Sequence, residues 1–533
     1  MMSIPRYCLT VLLILSTAAF AFDFTKAPVI VVPPKPTPIE QYAAGEIATF
    51  WKKATGQDIL KATEGTPVIF IGRAAWADRK YAPNEAAVEI TDTVIRIAGG
   101  DDMSADPLNA ARSHGTLFGV YDFLERELGI RFLWPGELGT FIPQFKGTHI
   151  SNSSRTIPPP LPSVVWRQGW LNKRNGGGWA SYAVAQQFIK DESIWLHRHR
   201  FNQISHMQYG HAFTKWFGKY GKEHPEWFNM LPDGKRVPDT AQSSINPSYI
   251  SMCVTDDGFQ QEIVRQWQEK GNLNAMINCN ENDTAGKCTC PRCMAADGTP
   301  VEPRLQAARE AFEKKQPNWY THLGSLTERY AEFYLAVQKK AEAIVKNPVV
   351  IGDIYANYFE PPVKHKLNEQ IVMRFCPPVM YPWTRAKIDN YKRLWTGWHD
   401  AGASLQLRPN YTLDGHNFPL VYYRSYSECY RHAEANGLKS VDMDSLTGSY
   451  GTNALTCYVI ANLAPGGCKR TIEELENDFF SAFGNAAPAI REFYRIMEDA
   501  TNKGFGTPDE YVLPNEGGSW AMFFMGAHRI FTP

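Results

Sequence analysis

Beyond its first residues, no stretch of the chain approaches the ~20 consecutive apolar residues that a transmembrane helix needs. The sequence therefore offers no membrane span. It also lacks a charge of either sign in excess, since Lys plus Arg and Asp plus Glu both number 55. A nucleic-acid or anionic-membrane surface requires a basic surplus, so neither partner is expected. There is no glycine-rich phosphate loop and no Gly-x-Ser-x-Gly elbow, which argues against nucleotide and serine-hydrolase chemistry. No His-x-x-x-His or His-Glu-x-x-His pair occurs, as a catalytic zinc helix would need. Ten cysteines in 533 residues are too few for a disulfide scaffold.

At the N-terminus, Arg6 precedes an apolar core from Leu9 to Ala19, followed by Ala19-Phe20-Ala21. This is the pattern of a secretory signal peptide cleaved after Ala21, so the mature chain is expected to be secreted or periplasmic. Fifteen Trp, 24 Tyr and 29 Phe supply flat apolar faces that suit sugar rings as well as cores.

Along the chain, residues 1–21 read as the leader and 22–155 as a small α/β sandwich domain. "APVIVV" and "PVIFIG" are short strands. Between them, Ile39 to Ala54 has helical spacing, with Tyr42, Ala43, Ile47, Phe50 and Trp51 on one face and Gly56 just past the end. "AVEITDTVIRIAG" alternates on both sides of Thr91-Asp92-Thr93, as a hairpin does. From 156 to 465, strand-like runs alternate with helical ones: 164–170, 202–207, 274–280, 349–358, 371–378, 404–411 and 439–446. Seven strands in this rhythm predict an α/β fold built on a (β/α)8 TIM-like barrel, without a clear eighth strand. Residues 466–533 form a helical extension that opens with a capping box, Thr471 to Glu474.

Barrel enzymes carry their working residues at the C-terminal ends of the strands. Those ends, with the loops just beyond them, offer Trp170, His211, Asn280, Glu281, Asp283, Tyr355, Tyr358, Arg408, Asp442 and Asp444. Carboxylates, amides and aromatics of this kind suit carbohydrate hydrolysis, in which two carboxylates flank the bond. Glu281 and Asp283 stand two apart, so in an extended segment both face one side. One of such a pair can be kept protonated as the acid while the other stays ionised. Asp283, Glu281 and Asp444 are the candidate catalytic residues, with Asp442 as another carboxylate across the mouth. Trp170, His211, Asn280, Tyr355, Tyr358, Arg408 and Asp442 are the candidate sugar contacts. The competing reading makes the acidic pair a solvated loop or a helix cap.

Cys288, Cys290 and Cys293 form a Cys-x-Cys-x-x-Cys run, with Cys279 near enough in sequence to be a fourth ligand. Structural zinc, a disulfide and free buried thiols all remain open. No cofactor is expected for catalysis itself.

"GTLFGVYDFLERELGIRFLWPGELGTFIP" resembles the α/β domain that precedes the barrel in hexosaminidases and α-glucuronidases. "HPEWF…DGKR", "NENDTAGKCTCPRC" and "IYANYFEPP" resemble the domain-of-unknown-function 4838 family. That family is similar to glycoside hydrolase family 163, which acts on the core chitobiose of complex N-glycans. The resemblance spans nearly the whole chain. It implies a retaining barrel glycosidase for N-acetylglucosamine-containing glycans, assisted by the substrate's own acetamido group. It also implies that Asp283 is the signature aspartate and Tyr355 the aromatic after strand four. Where relatives carry Trp-Asp-Tyr on strand six, this chain has "LRPNYTLDG". The alternatives are a non-catalytic glycan-binding barrel and a glycosidase for uronic-acid polysaccharides.

Overall fold

The computed structural model describes residues 21–503, apart from 24, 60–66, 105, 169–182, 208, 243–245, 378–382, 410–420 and 447–449, and apart from the side chains of 168, 184, 444–446 and 503. Residues 1–20 of the predicted leader and residues 504–533 of the predicted helical extension lie outside the described residues. The chain divides into two compact units, 1–107 with 114–130 and 142–159, and 108–113 with 131–141 and 160–533.

The first unit holds a five-stranded mixed sheet of β1 (Val29–Val31), β2 (Val68–Ile71), β3 (Ala86–Ile90), β4 (Val94–Gly99) and β5 (Ser153–Ile157), in the order β1-β2-β4-β3-β5. β3 and β4 are the expected hairpin, pairing Ile90 with Ile95 across the 91–93 turn. The helix Pro38–Thr55 begins where Thr37 and Glu40 cap each other's backbone N–H, and stops at Gly56, which takes φ +78°. Its buried face is Ile39, Ala43, Ile47, Phe50, Trp51 and Ala54, whereas Tyr42 is only half-buried. It packs on a second helix, Gly115–Glu127.

The second unit is built on six parallel strands: β6 (Val164–Gln168), β7 (Ile277–Asn278), β8 (Val350–Ile354), β9 (Ile371–Phe375), β10 (Ser404–Leu407) and β11 (Leu438–Leu446). Their order is β6-β11-β10-β9-β8-β7. From β7 to β11 each strand lies beside its successor, and β11 then lies beside β6, which is barrel-like winding. Between β6 and β7 no strand closes the barrel among the described residues. The predicted second strand, 202–207, forms none. The Asn202 side chain bonds backbone instead, giving Nδ2–H to the distant Leu161 carbonyl at 2.9 Å while its Oδ1 faces the nearby Ile204 N–H. Such bonds compete with a sheet ladder. The irregular segment still touches both flanks, because Val164 N–H bonds the Asn202 carbonyl and Ala212 N–H the Asn280 carbonyl. The sheet is a curled half-barrel; a complete (β/α)8 barrel is not formed by strands among the described residues.

β8 and β9 are buried along their full length, as strands covered on both faces must be. The helix Thr327–Ala341 turns Tyr330, Phe333, Tyr334, Val337 and Ala341 inward. The extension begins with the expected capping box of Thr471 and Glu474 on the helix Ile472–Ser481, followed by the helix Ala487–Lys503. No helix among the described residues is long and apolar enough to cross a membrane.

Candidate active site

In parallel sheets, ligands meet the C-terminal ends of the strands. Here those ends carry an alternating row of charge. Asp353 on β8 and Arg374 on β9 are register partners, joined by Arg374 Nε to Asp353 Oδ1 at 2.6 Å and Nη2 to Oδ2 at 2.9 Å. Both are buried. Two strands away, Asp442 on β11 takes Nε and Nη2 of Arg167 (β6), each at 2.6 Å, and Nη1 of Arg408, the residue after β10, at 2.9 Å. Burial alone would push the Asp442 carboxyl up, but Arg167, Arg408 and Arg374 outweigh it and hold the group below the usual carboxylate range. Asp442 therefore stays an anion, and with 0 % exposure it holds arginines rather than meeting a ligand. This corrects its reading as a sugar contact or second acid.

Glu281 and Asp283 leave β7 together but do not share a face. β7 ends at Asn278, and Thr284 N–H bonds back to the Asn282 carbonyl, so the two-residue alternation lapses. Glu281 turns inward. Its Oε2 accepts from Met252 N–H and from the Tyr330 hydroxyl, both at 3.0 Å, and its Oε1 accepts from Asn282 N–H at 2.9 Å. Burial pushes its pKa up to about 7, with the Asp353 charge adding to it and the three donors opposing. The group holds a proton near neutrality, yet both oxygens are committed to protein donors.

Asp283 turns outward, with half its side chain exposed. Its Oδ1 accepts the Tyr355 hydroxyl at 3.0 Å and lies 4.0 Å from His211 Nε2. Burial and the neighbouring Asp283 push the Tyr355 phenol above its ordinary value, so it remains a donor. His211 Nδ1 sits 2.6 Å from the Glu281 carbonyl oxygen, which only accepts. The proton is thereby assigned to Nδ1, and Nε2 is left toward Asp283. Asp283, Tyr355 and His211 thus gather at one half-open point. They come from three separate stretches of chain.

The remaining candidates fall elsewhere. Tyr358 is buried and stacks on Tyr330 with ring centroids 4.1 Å apart, because residues 355–358 form a turn that carries it into the core; it is no sugar contact. Asn280 is likewise buried, its Nδ2 directed at the Gly210 carbonyl. Arg408 keeps 15 % exposure beside Asp442. Asp444 stands on β11 with its side chain outside the described residues, and Trp170 is outside them altogether.

Cys288, Cys290 and Cys293 do converge, but the fourth thiol beside them is Cys253. All four sulfurs lie within 4.8 Å of one another and all four residues are buried. Cys279 follows β7 as a separate buried thiol and is not a member of the group. Sequence spacing cannot find Cys253, which lies 35 residues before Cys288 in a loop without a motif. Asp353 and Arg374 did carry a signal, a lone charge within an otherwise apolar strand.

The family profile described as domain of unknown function (DUF4838) matches residues 134–495. No curated protein matches the chain significantly. Among solved structures, a chitobiase of Flavobacterium johnsoniae is 10% identical, covering 90% of this chain and 71% of its own, with a TM-score of 0.39. A Streptomyces plicatus β-hexosaminidase variant with its product GlcNAc is 11% identical, covering 88% and 92%, with a TM-score of 0.40. A family GH115 4-O-methyl-α-glucuronidase with specificity for decorated arabinogalactans is 11% identical, covering 90% and 62%, with a TM-score of 0.40. Likenesses at these scores fix neither substrate nor chemistry, which must come from this chain's own residues.

Proposed function

The chain belongs to the DUF4838 family, and we propose that it is an exported glycoside hydrolase whose reaction centre is Asp283. The observation that carries this reading is the half-exposed Asp283 carboxylate at the C-terminal edge of a parallel sheet, held by Tyr355 and faced by His211 Nε2. A carboxylate so placed can steady the positive charge that develops at a sugar's anomeric carbon. It can equally accept the N–H of a 2-acetamido group and align that group's oxygen for attack on the same carbon. N-Acetylglucosamine-containing glycans are the substrate class this second role favours. Asp444, at the exit of β11 across the sheet from β8, is the proposed second carboxylate. Glu281, whose oxygens are all engaged, acts as a buried support for the segment that carries Asp283.

A second reading has its own support. Among the described side chains of this edge, Asp442, Asp353 and Glu281 are tied to protein donors, and Asp283 alone is open. One open carboxylate suits glycan binding without turnover. Incubating the purified protein with aryl N-acetylglucosaminides, glucuronides and complex N-glycans separates the two. Sugar release supports the hydrolase, and saturable binding with no release supports the binding protein. Release from glucuronides alone moves the substrate to acidic sugars.

A further inference from the structure

Four thiols from two separate stretches of the chain meet in the core of the second unit. Cys253 Sγ lies 3.6 Å from Cys290 Sγ and 3.8 Å from Cys293 Sγ, and Cys288 completes the group. A zinc ion with Zn–S bonds of about 2.3 Å places tetrahedral sulfurs about 3.8 Å apart, close to the spacing of these two pairs, and all four sulfurs lie within 4.8 Å of one another. A disulfide needs two sulfurs; a convergence of four is what a metal requires.

The surroundings match a charged cluster. Arg236, Arg292 and Arg329 all lie close enough to interact electrostatically with these thiols. Four thiolates around one divalent ion leave two negative charges, which such cations offset. Met230 N–H is directed at Cys288 Sγ at 3.4 Å, and Thr255 Oγ1 lies 3.1 Å from Cys293 Sγ. Amide and hydroxyl donors to sulfur are the outer contacts that fix metal-bound thiolates. The frame around the group is rigid too. Buried Arg329 binds Asp297 through two bonds of 2.7 Å and the Cys288 carbonyl through a third.

We propose that Cys253, Cys288, Cys290 and Cys293 bind one zinc ion in a closed structural site that staples the segment around Cys253 to the loop leaving β7. All four coordination positions are taken by protein, so the ion holds the chain and leaves no place for a reacting water. The staple reaches the candidate active site through Met252, which adjoins Cys253 and gives its N–H to Glu281. Ser251 Oγ, in the same short stretch, accepts from Lys287 N–H. The proposal stands independently of what the chain hydrolyses.

The test is elemental analysis of the full-length protein, expressed in zinc-containing medium and purified under reducing conditions. About one zinc per chain is expected, retained by Cys279→Ser and reduced at least about tenfold in Cys253→Ser. If Cys253→Ser does not fold, cobalt exchanged into the unmodified protein must give the absorption of a tetrahedral tetrathiolate complex. A folded protein with less than about a tenth of a zinc per chain, or with iron in its place, overturns the proposal. So does loss of the metal in Cys279→Ser together with its retention in Cys253→Ser.

Discussion

The Tyr355 hydroxyl gives its hydrogen to Asp283 Oδ1 at 3.0 Å, tying the turn after β8 to the segment that leaves β7. The bond fixes the rotamer of a carboxylate that is otherwise half in water. Tyr355→Phe removes it and nothing else of comparable size. The expected result is a fall of roughly tenfold in kcat/KM, about 1.4 kcal/mol, with a loss of stability of about 1 kcal/mol or less. Steady-state kinetics beside thermal denaturation checks both. An unchanged kcat/KM would show that the orientation of Asp283 does not matter to the reaction.

Glu281 makes stability depend on pH. Its folded pKa of about 7 stands above the ordinary 4.5, so the fold prefers the protonated acid. Its stabilising contribution is whole below about pH 4.5 and is lost as pH rises through 7, a change of roughly 3 kcal/mol. Glu281→Gln does not titrate. Relative to that variant, the wild-type protein is expected to lose stability between pH 4.5 and 7 and to run parallel outside that window. Asp101, also raised to about 7 by burial, titrates in both proteins and cancels in the difference. Denaturant midpoints across this range read the effect, and a constant gap would contradict the burial of Glu281.

Arg374 and Asp353 form a buried pair whose halves need each other. Removing either charge leaves the other uncompensated, at an expected cost of about 3–5 kcal/mol. Asp353→Asn and Arg374→Met should therefore each lower Tm strongly, while the double variant recovers part of the loss. Additive losses in the double-mutant cycle would mean that the pair is not coupled as drawn.

The elements that could be read from the sequence are those whose local chemistry also decides their structure. Thr37 and Glu40 cap a helix within four residues, and Gly56 ends it by its own φ. The Thr91–Thr93 turn closes its hairpin through neighbours alone. Asp283 and Tyr355 could be placed just past strand ends because buried parallel strands read as short apolar runs, whereas the strand expected before His211 does not form. What the sequence hides depends on distant partners. Residues 202–207 look like a strand until Asn202 finds the Leu161 carbonyl. Glu281 looks like the twin of Asp283 until Met252 and Tyr330 turn it inward. His197 and His199 alternate with arginines in the run 197–200, a composition typical of a surface, yet both are buried, and His199 bonds the Phe132 carbonyl. Cys253 joins the other three thiols only after the chain has folded back on itself.

If the Asp283 carboxylate takes part in bond cleavage, Asp283→Asn must lose turnover without losing its fold. The side chain is half-exposed, so the substitution should shift stability by no more than about 0.5 kcal/mol. On a glycan that the wild-type protein hydrolyses, kcat is expected to fall at least about 10²-fold while the thermal transition stays in place. Hydrolysis at the wild-type rate by the folded Asp283→Asn protein would contradict the account.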